Sequence, residues 1–255
     1  MRHFTFVLLA LVLAVALPTA AAADWQSFII RNSGSGNPPV INNLGGGVLE
    51  FVIAESGQKA GLGTNALNGH KIGDISKIFI QRVDDYTRFT TGSGPYVAPY
   101  FNIWVTNGSG KYAVAANEPS NPEWAGLTRW DMDWDILKTK TVKFYENSDK
   151  SWLPNDGVGL TFQDISHLLI QAPSVAELTT GWSGLGTGAP RELGTNVAYG
   201  FNWVFGDTLS NYVSGDPGYR VANPYVAAIP EPVFFQMGAL MGLSGLGLLR
   251  LRRKA

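Results

Sequence analysis

Tyr100-Phe101-Asn102-Ile103-Trp104-Val105-Thr106, followed by Asn107-Gly108-Ser109-Gly110 and then by Tyr112 to Ala116, is the stretch that decides the fold. Phe101, Ile103 and Val105 alternate with Asn102, Trp104 and Thr106, and a period of two sends the two sets to opposite faces of an extended strand. Such a strand is expected to be half-buried, with one face entering a sandwich core. Asn107-Gly108 takes up positive φ at little cost, so a hairpin turn is expected there.

Working outward, similar β-favouring runs recur at Val48 to Ala54, Ile75 to Val83, Thr139 to Tyr145, Ile165 to Gln171, Val197 to Phe205 and Tyr219 to Val226. Gly45-Gly46-Gly47 and Gly184 to Gly188 punctuate them, and no helical period of comparable length competes. Asp74-Ile75-Ser76-Lys77-Ile78-Phe79-Ile80-Gln81 is echoed by Asp164-Ile165-Ser166-His167-Leu168-Leu169-Ile170-Gln171. The echo reads either as equivalent strands in the two halves of a jelly roll or as convergence of two amphipathic strands. The expected fold class is all-β, with a jelly-roll-like β-sandwich body.

Lys and Arg number 19 against 20 Asp and Glu, and there is no cysteine. Five of the cations sit at the two ends of the chain, which leaves a body, residues 24 to 229, of about five negative charges. Without a basic stripe to neutralise phosphates, nucleic acid is not an expected partner. Disulfides and thiolate chemistry are excluded, so stability has to come from apolar packing, and all eight tryptophans lie in the body. Residues 24 to 229 are long enough to bury a core as one domain.

The two ends carry different instructions. Met1-Arg2-His3, an apolar run from Phe4 to Leu17 and then Pro18 with alanines reads as a signal peptide over residues 1 to 23. The expected cleavage by signal peptidase is between Ala23 and Asp24. At the other end, residues 230 to 255 comprise Pro230-Glu231-Pro232, an apolar run from Val233 to Leu249 and a basic tail with Arg250, Arg252, Arg253 and Lys254. A run of about 17 residues just spans a bilayer as a single transmembrane helix, and the tail retains its own end on the cytoplasmic side. The body is then expected outside.

This order of proline-glutamate-proline, glycine-dotted span and arginine-rich end resembles the PEP-CTERM sorting signal, a segment that some classifications call an ice-binding protein C-terminal domain. The resemblance covers only residues 230 to 255. It implies an exosortase as processing partner, transient anchoring in the inner membrane, and release or attachment at the cell surface or in an extracellular biofilm matrix. It says nothing of the body, and a repeated threonine array of the kind an ice-binding face needs is missing, with Thr139 and Thr141 alternating once and Thr90-Thr91 standing alone.

Motifs for catalysis are missing too. The body holds only His70 and His167, and there is no H-E-x-x-H, G-x-S-x-G or Walker loop. His167, on an apolar strand, is expected to be an interior residue. Glu50, Glu118, Glu123, Glu146, Asp84 and Asp85 are nominal acids for a glycoside hydrolase, but no spacing selects a pair. The chain is therefore read as a non-enzyme with a structural or binding role, the alternatives being a lectin-like module for polysaccharide or a weak hydrolase.

Trp130-Asp131-Met132-Asp133-Trp134-Asp135-Ile136 is the most suggestive constellation. On a strand its apolar residues share one face and Asp131, Asp133 and Asp135 the other, which is either a solvated acidic face or, in a bent loop, a set of hard oxygen ligands for calcium. The EF-hand pattern does not apply, because Ile136 and Val142 stand where that loop needs glycine and glutamate. Trp124, Trp130 and Trp134 also suggest a surface on which exopolysaccharide rings stack. Trp124, in a loop after Asn121-Pro122-Glu123, is the one expected to be exposed, with core packing as the competing account. No cofactor other than calcium is expected.

Overall fold

In a computed structural model the described residues are 23–85, 99–117, 121–124, 130–145, 149–180, 188–207 and 217–229. They form two antiparallel sheets that share one core. The seven-stranded sheet runs β1(Gln26–Arg31), β4(Lys59–Thr64), β11(Phe201–Gly206), β6(Tyr100–Thr106), β7(Tyr112–Ala116), β9(Lys143–Tyr145), with β10(Leu169–Ile170) also paired to β6. The five-stranded sheet runs β2(Val40–Gly45), β3(Val48–Val52), β12(Tyr219–Ala228), β5(Ile75–Arg82), β8(Asp131–Asp133). Two short helices, α1(Trp134–Leu137) and α2(Val175–Thr180), and short 3-10 turns accompany the sheets.

The hairpin at Asn107-Gly108 forms as its sequence requires. Thr106 pairs with Tyr112, and Gly108 and Gly110 take φ of 81° and 77°. Phe101, Ile103 and Val105 enter the core between the sheets. The other face of β6 departs from the half-buried expectation, because Asn102, Trp104 and Thr106 are buried as well. Val114, Ala172, Ala189, Ala198 and Leu178 of α2 form a second cluster over Trp104, whose indole N–H donates to the Pro190 carbonyl at 3.0 Å. The segments after β10 thus roof a face that periodicity alone leaves to water.

Aromatic rings fill part of the core. Phe51 of β3 stacks on Phe205 of β11 with centroids 3.9 Å apart and planes within 5°. On the inner face of the seven-stranded sheet, Phe101, Phe201 and Trp203 pack edge-on or offset against one another at 5.5–6.1 Å. Each such pair adds about 0.5–1.5 kcal/mol to the stabilisation from area burial, which suits a chain with no disulfide to draw on.

The internal echo does not give equivalent strands. Ile75–Arg82 is one eight-residue strand of the five-stranded sheet, whereas its counterpart forms turns up to Leu168 and only Leu169–Ile170 is strand, in the other sheet. The Asp164 carboxylate accepts from the N–H and hydroxyl of Thr161, which holds this part of the chain in a turn. His167 is exposed rather than interior.

Three strands escape sequence pattern for a physical reason. β4 reads Lys-Ala-Gly-Leu-Gly-Thr, and its glycines are there for neighbours: a Cβ on Gly61 would lie 2.6 Å from the Phe28 ring, and one on Gly63 would lie 2.6 Å from Asn202 Oδ1. β2 is an edge strand with exposed Val40 and Leu44, and β1, at the opposite sheet's edge, alternates weakly. Of the terminal segments, Ala23 and Asp24 are described, but the apolar run of the signal peptide, the Pro230-Glu231-Pro232 triplet, the span and the basic tail lie outside the described residues. Among the described residues no helix is long and apolar enough to cross a membrane.

Gly206 closes β11 at φ +80°, and a Cβ there would collide with the Gln58 carbonyl oxygen and press on Ile53. Gly206→Ala is expected to lower stability by at least about 1–3 kcal/mol from backbone strain alone. Urea unfolding checks this. An unchanged midpoint would mean that β11 ends elsewhere.

Candidate functional site

The tryptophans singled out by sequence do not make a surface. Trp124, expected to be exposed, is 1% accessible at the end of the 3-10 turn Pro122–Trp124, and its ring meets Phe101 and Phe162 edge-on at 5.8 and 6.0 Å. The loop position was misleading because the turn folds inward over the core. Trp130 is also buried, with its indole N–H donating to the Pro99 carbonyl at 2.9 Å and the Arg82 guanidinium over its ring. Trp134 is half-buried as the first residue of α1.

The expected seven-residue alternation ends at Asp133. Its carboxylate accepts the Ile136 N–H at 3.0 Å and caps α1, which turns the strand into a helix. Asp131 pairs instead with Lys77 on β5, and Asp135 with Lys138 at 2.5 Å. The three carboxylates therefore have three separate partners. Among the described residues no group of three or more His, Cys, Asp or Glu side chains is placed to hold a metal.

Asp131 and Asp133 nevertheless share a surface, the outer face of the five-stranded sheet. Ile78 and Ile80 of β5 point into the core, so Lys77, Phe79 and Gln81 point out. β8 lies beside it, with Asp131 opposite Phe79 and Asp133 opposite Lys77. On the other side Tyr225 of β12 stands opposite Phe79 and is 49% accessible, since Val226 takes the inward position. Two aromatic rings thus occupy neighbouring outward positions in the middle of the sheet, with polar groups around them.

A bulge sets that placement. The register of β12 on β5 shifts between Ala222 and Tyr225, where Asn223 takes φ of +50° and Pro224 follows. Proline cannot donate to a ladder, so in a central strand it is confined to an irregularity of this kind. The one extra residue re-aims Tyr225 outward and brings the Asn223 amide to Gln81, Nδ2 donating to Oε1 at 2.8 Å. Asn223-Pro224, inside a run otherwise read as plain strand, is the sequence signal that marks the site.

Along the same face, Glu50 of β3 accepts Arg220 Nε at 2.9 Å, Asn42 Nδ2 at 2.9 Å and the Gly218 N–H at 3.2 Å. Burial pushes its carboxyl up, but the Asn42 and Arg220 hydrogen bonds, the Arg220 charge and the Gly218 N–H together hold it below the usual carboxylate range. Two more of the nominal acids are also engaged. Asp84 is locked in a bidentate pair with Arg82 behind Trp130 and Tyr219. Glu123 takes the Thr141 N–H and hydroxyl, while Glu118 and Glu146 lie outside the described residues. A cleft of about 420 Å³ between the two sheet edges has a mixed lining, with Phe28, Ile29, Ile41, Leu49 and Leu193 beside Ser27, Asn43 and Glu192.

Comparison with protein-family models, with curated proteins and with solved structures returned no match in any of the three. Within the site's own geometry, Glu50 offers a test. A carboxyl whose pKa is lower folded than unfolded stabilises above the unfolded value, here 4.5, and that contribution is lost as pH falls through the folded value. Glu50→Gln is expected to cost on the order of 1 kcal/mol at neutral pH. In urea titrations from pH 7 downward, its difference from the parent protein should stay flat to about pH 5 and shrink in acid. A difference that grows in acid would contradict the assigned pairing.

Proposed function

We propose that the chain is an exported cell-surface or extracellular-matrix protein, sorted through its C-terminal segment, whose body binds polysaccharide. The observation that carries the binding reading is the outward Phe79 and Tyr225 pair at the β12 bulge. Flat aromatic faces suit the apolar faces of pyranose rings, and the surrounding amides and carboxylates suit hydroxyls. The stacking surface proposed is therefore this face, in place of Trp124, Trp130 and Trp134. A purely structural role in a biofilm matrix is the second reading, favoured by a core that commits most of the aromatics to packing.

The body is proposed to be a jelly roll. In support, β3-β12-β5-β8 faces β4-β11-β6-β7, and the chain alternates between sheets as it winds, so the last two strands, β11 and β12, enter between earlier ones. No catalytic role is proposed, nor any nucleic-acid partner, and calcium is left without a geometry among Asp131, Asp133 and Asp135. Signal peptidase acting at Ala23-Asp24 and an exosortase acting at Pro230-Glu231-Pro232 are the proposed processing partners. Between those two steps the segment from Val233 to Leu249 anchors the chain in the inner membrane.

Replacing Pro230-Glu231-Pro232 by three alanines is expected to leave an uncleaved chain in the inner membrane. Deleting Arg250 to Lys254 should send uncleaved protein outward, because nothing then retains the terminus inside. Fractionation with mass spectrometry of the mature C-terminus decides this, and an intact Lys254-Ala255 end on surface-exposed protein would sink the sorting reading. Co-sedimentation of the full chain with the producing cell's own exopolysaccharide tests the binding reading separately.

A further inference from the structure

We infer that the polysaccharide met by the outer face of the five-stranded sheet is uncharged, a polymer of neutral hexoses and not a polyuronate or a sulfated chain. The inference rests on the reading of that face as the binding surface. It comes from how the charges of the face are already spent. Among its described residues the cations are Lys77 and Arg220 and the carboxylates are Glu50, Asp131 and Asp133, so the face is net negative.

Each cation is already matched by a carboxylate of the fold. Lys77 Nζ is held by Asp131, and Arg220 Nε by Glu50 at 2.9 Å. An incoming sugar carboxylate would add negative charge beside ion pairs that are already balanced, on a face with one carboxylate in excess, and it would approach a body that is negative overall. Glu50 is the stronger case, because its second oxygen also accepts from Asn42 and the Gly218 N–H reaches it from the chain entering β12.

What the face does leave open suits hydroxyls. Gln81 and Asn223 are exposed, and their mutual hydrogen bond uses one donor and one acceptor of two amides, leaving the Gln81 N–H groups and the Asn223 carbonyl oxygen for sugar hydroxyls. Asp133 Oδ1 is committed to the cap of α1, but a carboxylate accepts more than one hydrogen bond, so it serves as a further hydroxyl acceptor. Tyr225 offers the stacking surface between these groups. Five strands spaced about 4.8 Å apart span roughly 19 Å, so the surface suits a run of sugar units along a polymer.

The test is affinity electrophoresis of the full chain in mild detergent, through gels containing a neutral galactomannan, a neutral mixed-linkage glucan or the polyuronate alginate, at low and high salt and with and without calcium. Retardation by a neutral polymer, unaffected by salt and weakened at least about tenfold by Tyr225→Ala, is the expected result. Val158→Ala, on a remote exposed residue, should migrate as the parent does, and thermal melting of Tyr225→Ala checks that it is folded. Retardation by alginate that Tyr225→Ala abolishes would overturn the neutral assignment and leave the face in place. Retardation by no polymer, or retardation indifferent to Tyr225→Ala, would overturn the binding face itself.

Discussion

The backbone ladders of β11 and β12 hold the rest of the structure together. β4 and β6 share no hydrogen bonds except through β11, and β3 and β5 are likewise joined only by β12. Each sheet therefore stays in two pieces until residues 201–228 arrive. The pairings involved are distant in sequence, Glu50 with Arg220 being one, and closing such long loops costs entropy before any contact repays it. The fold is expected to form late and cooperatively, with little stable sheet before its last strands are in place.

Burying charge is part of how those strands find their register. Lys59, 1% accessible on β4, donates to the Gly188 carbonyl at 2.8 Å, lies 3.8 Å from Asp207 and sits over the Tyr100 ring. The Arg82 and Asp84 side chains are 2% and 1% accessible, and the guanidinium lies over the rings of both Trp130 and Tyr219. Buried pairs of this kind contribute little net stability, because desolvation offsets attraction, but losing one partner is costly. A strand displaced by one residue would strand such a charge, so these groups act against slipped pairings.

The architecture was legible in sequence where side chains alternate against a core. Tyr100 to Thr106, Tyr112 to Ala116 and Ile75 to Val83 are read correctly to within a residue. It was illegible where a residue answers to a distant neighbour. Gly61 and Gly63 weaken the strand signal of β4 because Phe28 and Asn202 need the space, and the buried second face of β6 depends on α2 and on Ala189, far along the chain. At the site, Asp131 and Asp133 are on the correct face for the expected reason, but their aromatic companions are Phe79 and Tyr225. No local pattern brings those two together, since residues 79 and 225 meet only through the pairing of β5 with β12.

β12 ends without slack. Ala228 still pairs with Ile75, and the Ile229 N–H donates to the Asp74 carbonyl at 2.6 Å, directly before Pro230 in sequence. Tension applied to the C-terminal side is passed straight into the central strand of a sheet. Pulled along its axis, that strand is held on both sides by hydrogen bonds that must break together; pulled sideways, it peels from its end one bond at a time. The resistance of the body to rupture is thus a matter of pulling direction, greatest for a load along β12 and least for one across it.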